Sequence, residues 1–454
     1  MNKFDIAVIG AGPGGYSLAL ILAKAGNKVV IFEESFFGGN CVNRGCIPTK
    51  TLMKSARIAN TLARSKDFGI DSENYYDLQT MFKNVANNSA KLQNAIKGGL
   101  TTSNVTIIEA SATVIDENTI EANGSQYSFD KLVIASGSRP NFFKIEGAEA
   151  TNVYTSDDLL TKNPKFDELT IIGGGAISLE FAYFYASFGK KVTIIEAAPQ
   201  LFANLDESIS RAAKAVIAEK GITLYEATKV LRYEDGALIL ENHDGHIYHK
   251  TNNILLAVGR RANNEAFASL NLKFNEKNFI EVNEFFQTSI DHIYAIGDVT
   301  GKLMLSTVAY KHGDIVAKHI ITGSSDEKFN ARFIPWTIYA TPEIASVGSS
   351  EQQLQAQGID YEVAEIAASS LPRAHAENAF KLGFIKLIFN KKTFEILGAT
   401  IFLDEASLLI NQIALAIKSK LTILDLQKSA YTHPTLSESI YYITRQIVFS
   451  NLDK

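Results

Sequence analysis

The sequence predicts an α/β protein with two Rossmann-like dinucleotide-binding domains and a separate C-terminal α+β domain. Three observations carry that prediction. Residues 4–33, FDIAVIGAGPGGYSLALILAKAGNKVVIFE, recur as residues 168–196, ELTIIGGGAISLEFAYFYASFGKKVTIIE. Gly10 aligns with Gly173, Gly12 with Gly175 and Glu33 with Glu196 at one constant offset, the mark of a duplicated unit. Each copy reads as strand, glycine turn, amphipathic helix and second strand. From Phe333 the texture changes to alternating strands between helices.

The opening strands, IAVIG and LTIIG, are continuous apolar runs, as expected of strands buried on both faces of a parallel sheet. The closing strands, KVVIFE and KVTIIE, end on an acidic residue. A further strand ending in Gly and Arg follows each copy, KLVIASGSRP at 131–140 and NILLAVGRRAN at 253–263. Helices are expected at about 48–66 and 80–100, and HIYAIGDVTGKL (292–303) gives one more buried strand ending in Gly-Asp. In the last domain IASVG, GFIKLIF and ILGATIF read as strands, with helices near 350–358, 404–419 and 435–449. The boundaries drawn from these changes are 1–148 for the first dinucleotide domain and 149–264 for the second. Residues 265–333 complete the first, central domain, and 334–454 form the last.

A chain of 454 residues suits two to four domains at roughly 150 residues each. Its net charge of −5, without a Lys/Arg run, argues against nucleic acid as a partner. Apolar runs are too short and interrupted to span a membrane. The N-terminus enters a buried-looking strand by Phe4, which leaves no room for a signal peptide. The only two cysteines, Cys41 and Cys46, cannot form a secreted disulfide framework, so a cytoplasmic protein is expected.

Gly10, Gly12 and Gly15 follow a strand, open a helix and precede Glu33 at the tip of the next strand, the context a dinucleotide site requires. The turn lets backbone amides approach a pyrophosphate at a helix N-terminus, and Glu33 can accept both hydroxyls of an adenosine ribose. In the second copy Ser178 replaces the third glycine. Glu196 accepts a ribose hydroxyl but repels a 2′-phosphate, and no Arg follows in EAAPQLF to neutralise it. NADH is therefore favoured over NADPH. Two such sites in one chain point to one bound flavin and one exchanging nicotinamide, without saying which is which.

GGNCVNRGCIPTK (38–50) holds both cysteines five residues apart. Thiol–disulfide exchange needs two sulfurs that can bond and act in turn as nucleophile and leaving group. A distorted first helical turn, built with the glycines and Pro48, can bring them together, and a helix N-terminus favours a thiolate. The pair alone is too few ligands for zinc, and a glycine-rich segment is a poor place for inert core cysteines. Such a pair needs a base that titrates near neutral pH. His433 in YTHPTLSES, five residues before Glu438, is the candidate, although Thr435 to Glu438 also reads as a capping box. His243, His246 and His249 read as a polar hairpin around Asp244-Gly245 rather than a metal cluster, and no metal is expected. His375 in PRAHAEN lines a site or lies on a solvated loop.

Taken in order, GAGPGG with Glu33, GGNCVNRGCIPTK, KLVIASGSRP, GGGAISLE with Glu196, LLAVGRRAN, IYAIGDV and YTHPTLSES resemble one family over essentially the whole chain. It is that of the FAD-dependent pyridine nucleotide–disulfide oxidoreductases with a CxxxxC redox pair. Its dihydrolipoamide dehydrogenase branch is the most similar, and LPRAHAEN (371–378) is also similar to reductases of reactive-chlorine or metal stress. The resemblance implies FAD on the first unit, with Gly137 and Asp298, and NAD(H) on the second, with Gly259. It implies Lys50 beside the flavin, paired with Glu180, Cys46 against the flavin and Cys41 toward a lipoamide-like disulfide or dithiol. It also implies a homodimer whose terminal domain is the interface, with the His433–Glu438 pair serving the other subunit's cysteines. An acyltransferase complex core is a further implied partner, and in one alternative docking there is the main role. A stress-type reductase and a glutathione-type reductase are the enzymatic alternatives. Ser136, where the family commonly has Thr, and YATPE (339–343), where many members have His before Pro, depart from its pattern.

Overall fold

The computed structural model describes residues 2–73, 75–149, 152–324, 326–379 and 381–450. The first sheet has a parallel part ordered Thr106–Ile108, Val29–Phe32, Asn2–Ile9, Ser125–Ile134 and Ile293–Ala295. Val29–Phe32 and Ile293–Ala295 are buried at every position, as strands covered on both faces require. The Ser125–Ile134 strand lies along Asn2–Ile9 on one edge and serves two partners on the other. Its first half pairs antiparallel with Thr119–Ala122 and its second half parallel with Ile293–Ala295. That last strand returns the chain to the first sheet after the second unit is complete.

The second sheet repeats the pattern with five parallel strands, Thr223–Tyr225, Lys191–Ile195, Glu168–Ile172, Ile254–Leu256 and Val153–Thr155. The two segments ending in Gly and Arg meet: Ser138–Pro140 pairs antiparallel with Arg260–Ala262 and ties one unit to the other. The two glycine-turn helices differ. Pro13–Lys24 buries a stripe made by Gly14, Gly15, Leu18, Ala19 and Leu22. Ala176–Ser187 was expected to be amphipathic and is not, since every residue from Ser178 to Tyr185 is buried. Its outer face is covered by the Cys46–Ala63 helix of the first unit and the Trp336–Ile338 strand of the last domain.

The last domain is an antiparallel sheet ordered Trp336–Ile338, Glu343–Gly348, Ile396–Leu403, Phe384–Phe389 and Glu362–Ala367. The three inner strands are those legible in the sequence. The outer two were missed because one is three residues long and the other, EVAEIA, is mostly half-exposed or exposed. Lys386, on an inner strand, reaches out of this domain. Its Nζ lies 2.6 Å from Asp206 Oδ1 of the second unit and 2.5 Å from Glu351 Oε1, and the Lys386 and Asp206 side chains are each only 5% exposed. Among the described residues no helix is long and apolar enough to cross a membrane.

Candidate active site

The cysteine segment is pinned to the first glycine turn. Gly38 N–H donates to Ala11 O at 2.8 Å. Gly39, at φ +56°, lies so near Gly12 that a Cβ there would stand 2.8 Å from its Cα. Cys41 then falls in the short helix Gly39–Asn43, and Cys46 is the first residue of Cys46–Ala63. The sequence reading placed one distorted helical turn here. The structure has two helices broken at Arg44–Gly45, which turns both sulfurs toward the same space.

Both thiols are unbonded and hydrogen-bond to one another. The bond from Cys41, aided by Ser306 and the Lys50 charge, outweighs burial and lowers the Cys46 thiol to about 6. Cys41, the donor of that bond and itself buried, is pushed up. The pair is therefore asymmetric, with the thiolate on Cys46 at neutral pH. Cys46 Sγ stands 3.5 Å from Ser306 Oγ.

One helical turn beyond Cys46, Lys50 Nζ lies 3.0 Å from both Glu180 oxygens. Glu180 is buried and also accepts the Tyr339 N–H at 3.0 Å, while Lys50 sits 4.3 Å over the Tyr339 ring. The pair joins the first unit, the second unit and the last domain. A single cavity of about 410 Å³ is lined by Gly10, Gly12, Glu33, Cys41, Cys46, Lys50, Gly137, Glu180 and Asp298. Gly15 lies behind it, where a Cβ would stand 1.9 Å from Gly10 O, so helix and strand touch at that point. Glu33 accepts the N–H groups of Ala11, Ser35 and Phe36 at 2.8–3.1 Å, yet burial still raises its carboxyl. Asp298 accepts the Ser138 hydroxyl at 2.6 Å, and that hydroxyl accepts Arg260 Nε–H at 2.8 Å. Ser138, Arg260, Ser306 and Tyr339 escaped the sequence reading. Only the first two carried a signal, as members of the paired segments ending in Gly and Arg.

Gly173, Gly175, Glu196 and Gly259 do not line that cavity and belong to the second unit's own turn. Glu196 repeats the Glu33 pattern, accepting Gly174 N–H at 2.5 Å and Ala198 N–H at 2.6 Å. A Cβ on Gly175 would meet no atom within 4 Å, which leaves the turn open above the helix. Gly259 O accepts the Asn141 N–H at 2.9 Å. Ser178 is fully buried with a hydroxyl that finds no hydrogen-bond partner.

His433 and Glu438 also lie outside the cavity. His433 Nδ1 is 2.9 Å from Glu438 Oε1, and Glu438 Oε2 accepts the Thr435 N–H at 2.9 Å. Burial works against the carboxylate, but these two bonds hold Glu438 below its ordinary range. The capping reading is half right: Glu438 takes the backbone N–H, while the Thr435 hydroxyl donates to Thr432 O instead of completing the box. The imidazole is well exposed at 63%, so it is presented outward. Among the remaining histidines, the expected hairpin forms from Ala237–Asn242 and Gly245–Lys250, with His249 bonded to Thr170 Oγ1 at 2.9 Å. His375 Nε2 bonds Ser369 O at 2.8 Å. Among the described residues no group of three metal-ligating side chains forms.

Residues 4–313 match the pyridine nucleotide-disulphide oxidoreductase family, and residues 334–442 match its dimerisation domain. The chain is 34% identical over 456 residues to a dihydrolipoyl dehydrogenase of Mycoplasma genitalium, covering 98% of this chain and 99% of that one. It is 34% identical to the dihydrolipoyl dehydrogenase of Buchnera aphidicola, covering 96% and 94%. Among solved structures it is similar to the HOCl-induced flavoprotein disulfide reductase RclA of Escherichia coli. That likeness has a TM-score of 0.86 and 27% identity over 98% of this chain and all of that one. The full-length match, the two dinucleotide folds and the dimerisation domain agree, and the chain belongs to the pyridine nucleotide-disulphide oxidoreductase family, whose members use FAD and NAD(H).

Proposed function

We propose that the chain oxidises dihydrolipoamide with NAD⁺ through the Cys41–Cys46 couple, as a homodimer. The observation that carries this reading is the asymmetric thiol pair, which shares one cavity with Glu33, Asp298 and the Lys50–Glu180 pair. The cavity suits FAD. Glu33 would accept the ribose hydroxyls. Gly12 leaves open the space a Cβ would fill, with no atom nearer than the Gly39 Cα at 4.0 Å. Gly10 and Gly15 shape the turn, Gly137 and Asp298 would hold the ribityl and phosphate region, and Lys50 would serve the ring system. Gly173, Gly175, Glu196 and Gly259 would hold NAD(H), and Glu180 pairs with Lys50 between the two. Bound there, the flavin would supply a two-electron carrier between nicotinamide and sulfur.

In the oxidised protein a substrate thiolate attacks Cys41 Sγ, the Cys41–Cys46 bond breaks, and Cys46 leaves as thiolate. Its lowered pKa makes it the better leaving group. The second substrate thiolate attacks the substrate sulfur of the mixed disulfide and releases Cys41, which takes one proton. His433 of the partner subunit takes the other, with Glu438 fixing its tautomer and stabilising the cation. The substrate loses two electrons and two protons, and the cysteine pair gains both electrons. A two-cysteine composition supports action in the reducing cytoplasm. Docking onto an acyltransferase core is the corresponding higher assembly, checked by pull-down with that partner.

The test is anaerobic turnover of dihydrolipoamide with NAD⁺ by the purified holoenzyme and by Cys41→Ser. Full turnover in the variant would sink the dithiol route. The likeness to the Escherichia coli HOCl-induced reductase favours one second reading, NADH-driven reduction of an oxidant or Cu(II). Vigorous Cu(II) reduction without lipoamide turnover would select it. A preference for NADPH with oxidised glutathione would overturn both, along with the reading of Glu196.

A further inference from the structure

We propose that Ser306 is a catalytic residue whose hydroxyl donates a hydrogen bond to the Cys46 thiolate and thereby sets the potential of the dithiol couple. The inference rests on the Cys41–Cys46 couple proposed above. Ser306 Oγ lies 3.5 Å from Cys46 Sγ, and its hydroxyl favours the thiolate there. A thiolate can only accept, which fixes the serine as donor to Cys46 in the reduced pair. The backbone adds to this. Cys46 begins one helix, Cys46–Ala63, and Ser306 begins another, Ser306–Thr322. Neither helix has an acidic residue in its first turn or a side-chain cap, so two positive helix ends converge on one sulfur. Lys50 adds the nearby full charge.

The consequence follows from a balanced couple. The reduced pair holds one proton, as Cys41 thiol and Cys46 thiolate; oxidation forms the S–S bond and releases that proton and two electrons. Its potential then moves by about 30 mV per pH unit above the Cys46 pKa and about 59 mV below it. Stabilising the thiolate favours the reduced form and lowers the pH at which the slope changes.

The test is an anaerobic titration of the holoenzyme against glutathione redox buffers from about pH 5 to 9, with the thiols trapped by maleimide and counted by mass spectrometry. Wild type should change slope near pH 6. Ser306→Ala should shift that point up by about one unit and weaken the dithiol roughly fivefold at pH 7, approaching tenfold, or about 30 mV, by pH 9, while Ser306→Thr restores both. Coincident titrations of Ser306→Ala and wild type overturn the proposal. So does a shift that Ser306→Thr fails to restore, since packing alone then accounts for it. If wild type itself shows no reversible two-thiol couple, the reading of the cysteines fails and takes this inference with it.

Discussion

Replacing Lys386 with Met tests how the second unit is held against the last domain. Lys386 is the counter-ion of Asp206, and both side chains are 5% exposed. Deleting one partner of a buried pair costs about 3–5 kcal/mol, because the other charge stays buried and uncompensated. Asp206 would keep three donors: Ser208 N–H at 3.0 Å, Ser208 Oγ at 2.6 Å and Glu351 N–H at 3.1 Å. That places the cost at the lower end, about 3 kcal/mol. At about 2–4 °C per kcal/mol the thermal midpoint falls by roughly 6–12 °C. Asp206→Asn keeps a cap for the Glu207–Glu219 helix, so Lys386→Met/Asp206→Asn should be less damaged than the two single costs combined.

The pH dependence follows from the same pair. Although burial opposes it, Lys386 holds Asp206 below its ordinary value, so the Asp206 contribution is present above that value and lost as acid protonates the folded carboxylate. Lys386 is raised by Asp206 and Glu351 against burial, so its contribution is lost only as pH rises beyond the ordinary lysine range. In Lys386→Met burial is opposed only by the Ser208 and Glu351 bonds, so the Asp206 carboxyl rises relative to wild type and its protonation in acid costs the variant less. The gap between variant and wild type should therefore narrow from pH 7 toward about pH 4. Thermal unfolding at fixed protein and FAD concentration measures it. A shift under about 2 °C at pH 7, or a gap that widens in acid, would refute the clamp.

Gly15→Ala places a methyl where Gly10 O already lies 1.9 Å away, so the purified variant should lose most of its bound flavin, read from its visible absorbance. Ser178→Ala removes a buried hydroxyl with no partner and should raise stability by about 1 kcal/mol, seen as an upward shift in thermal midpoint. Glu438→Gln removes the carboxylate that orients the His433 ring. Dihydrolipoamide turnover should fall roughly tenfold or more.

What the sequence revealed follows from where chemistry is local. The glycine turns, Glu33, Glu196 and the cysteine pair are legible because each function needs fixed residue types within a few positions. The repeat also fixed where each turn belongs, and the seven-stranded and five-stranded sheets bear out the duplicated architecture. Ser306 and Tyr339 were illegible for the opposite reason. Each reaches the site from a distant segment through contacts with Cys46 or Glu180, and a serine or tyrosine carries no pattern of its own. The break at Arg44–Gly45 was missed because a glycine in a helical start reads equally as distortion or as termination.

The failed expectation for Ala176–Ser187 points to how the site is assembled. A glycine-turn helix normally buries one stripe and wets the other, yet AISLEFAYFYAS is apolar almost throughout. The reason is that a helix of the first unit and a strand of the last domain both pack on its outer face. Glu180, the one carboxylate of this helix, is buried at that junction, and it needs Lys50 from one neighbour and the Tyr339 N–H from the other to be tolerated there. The same burial that removed the amphipathic signal thus fixes Lys50, one helical turn from Cys46, between the two dinucleotide turns. The apolar helix is therefore the part of the sequence that encodes the junction between the first unit, the second unit and the last domain.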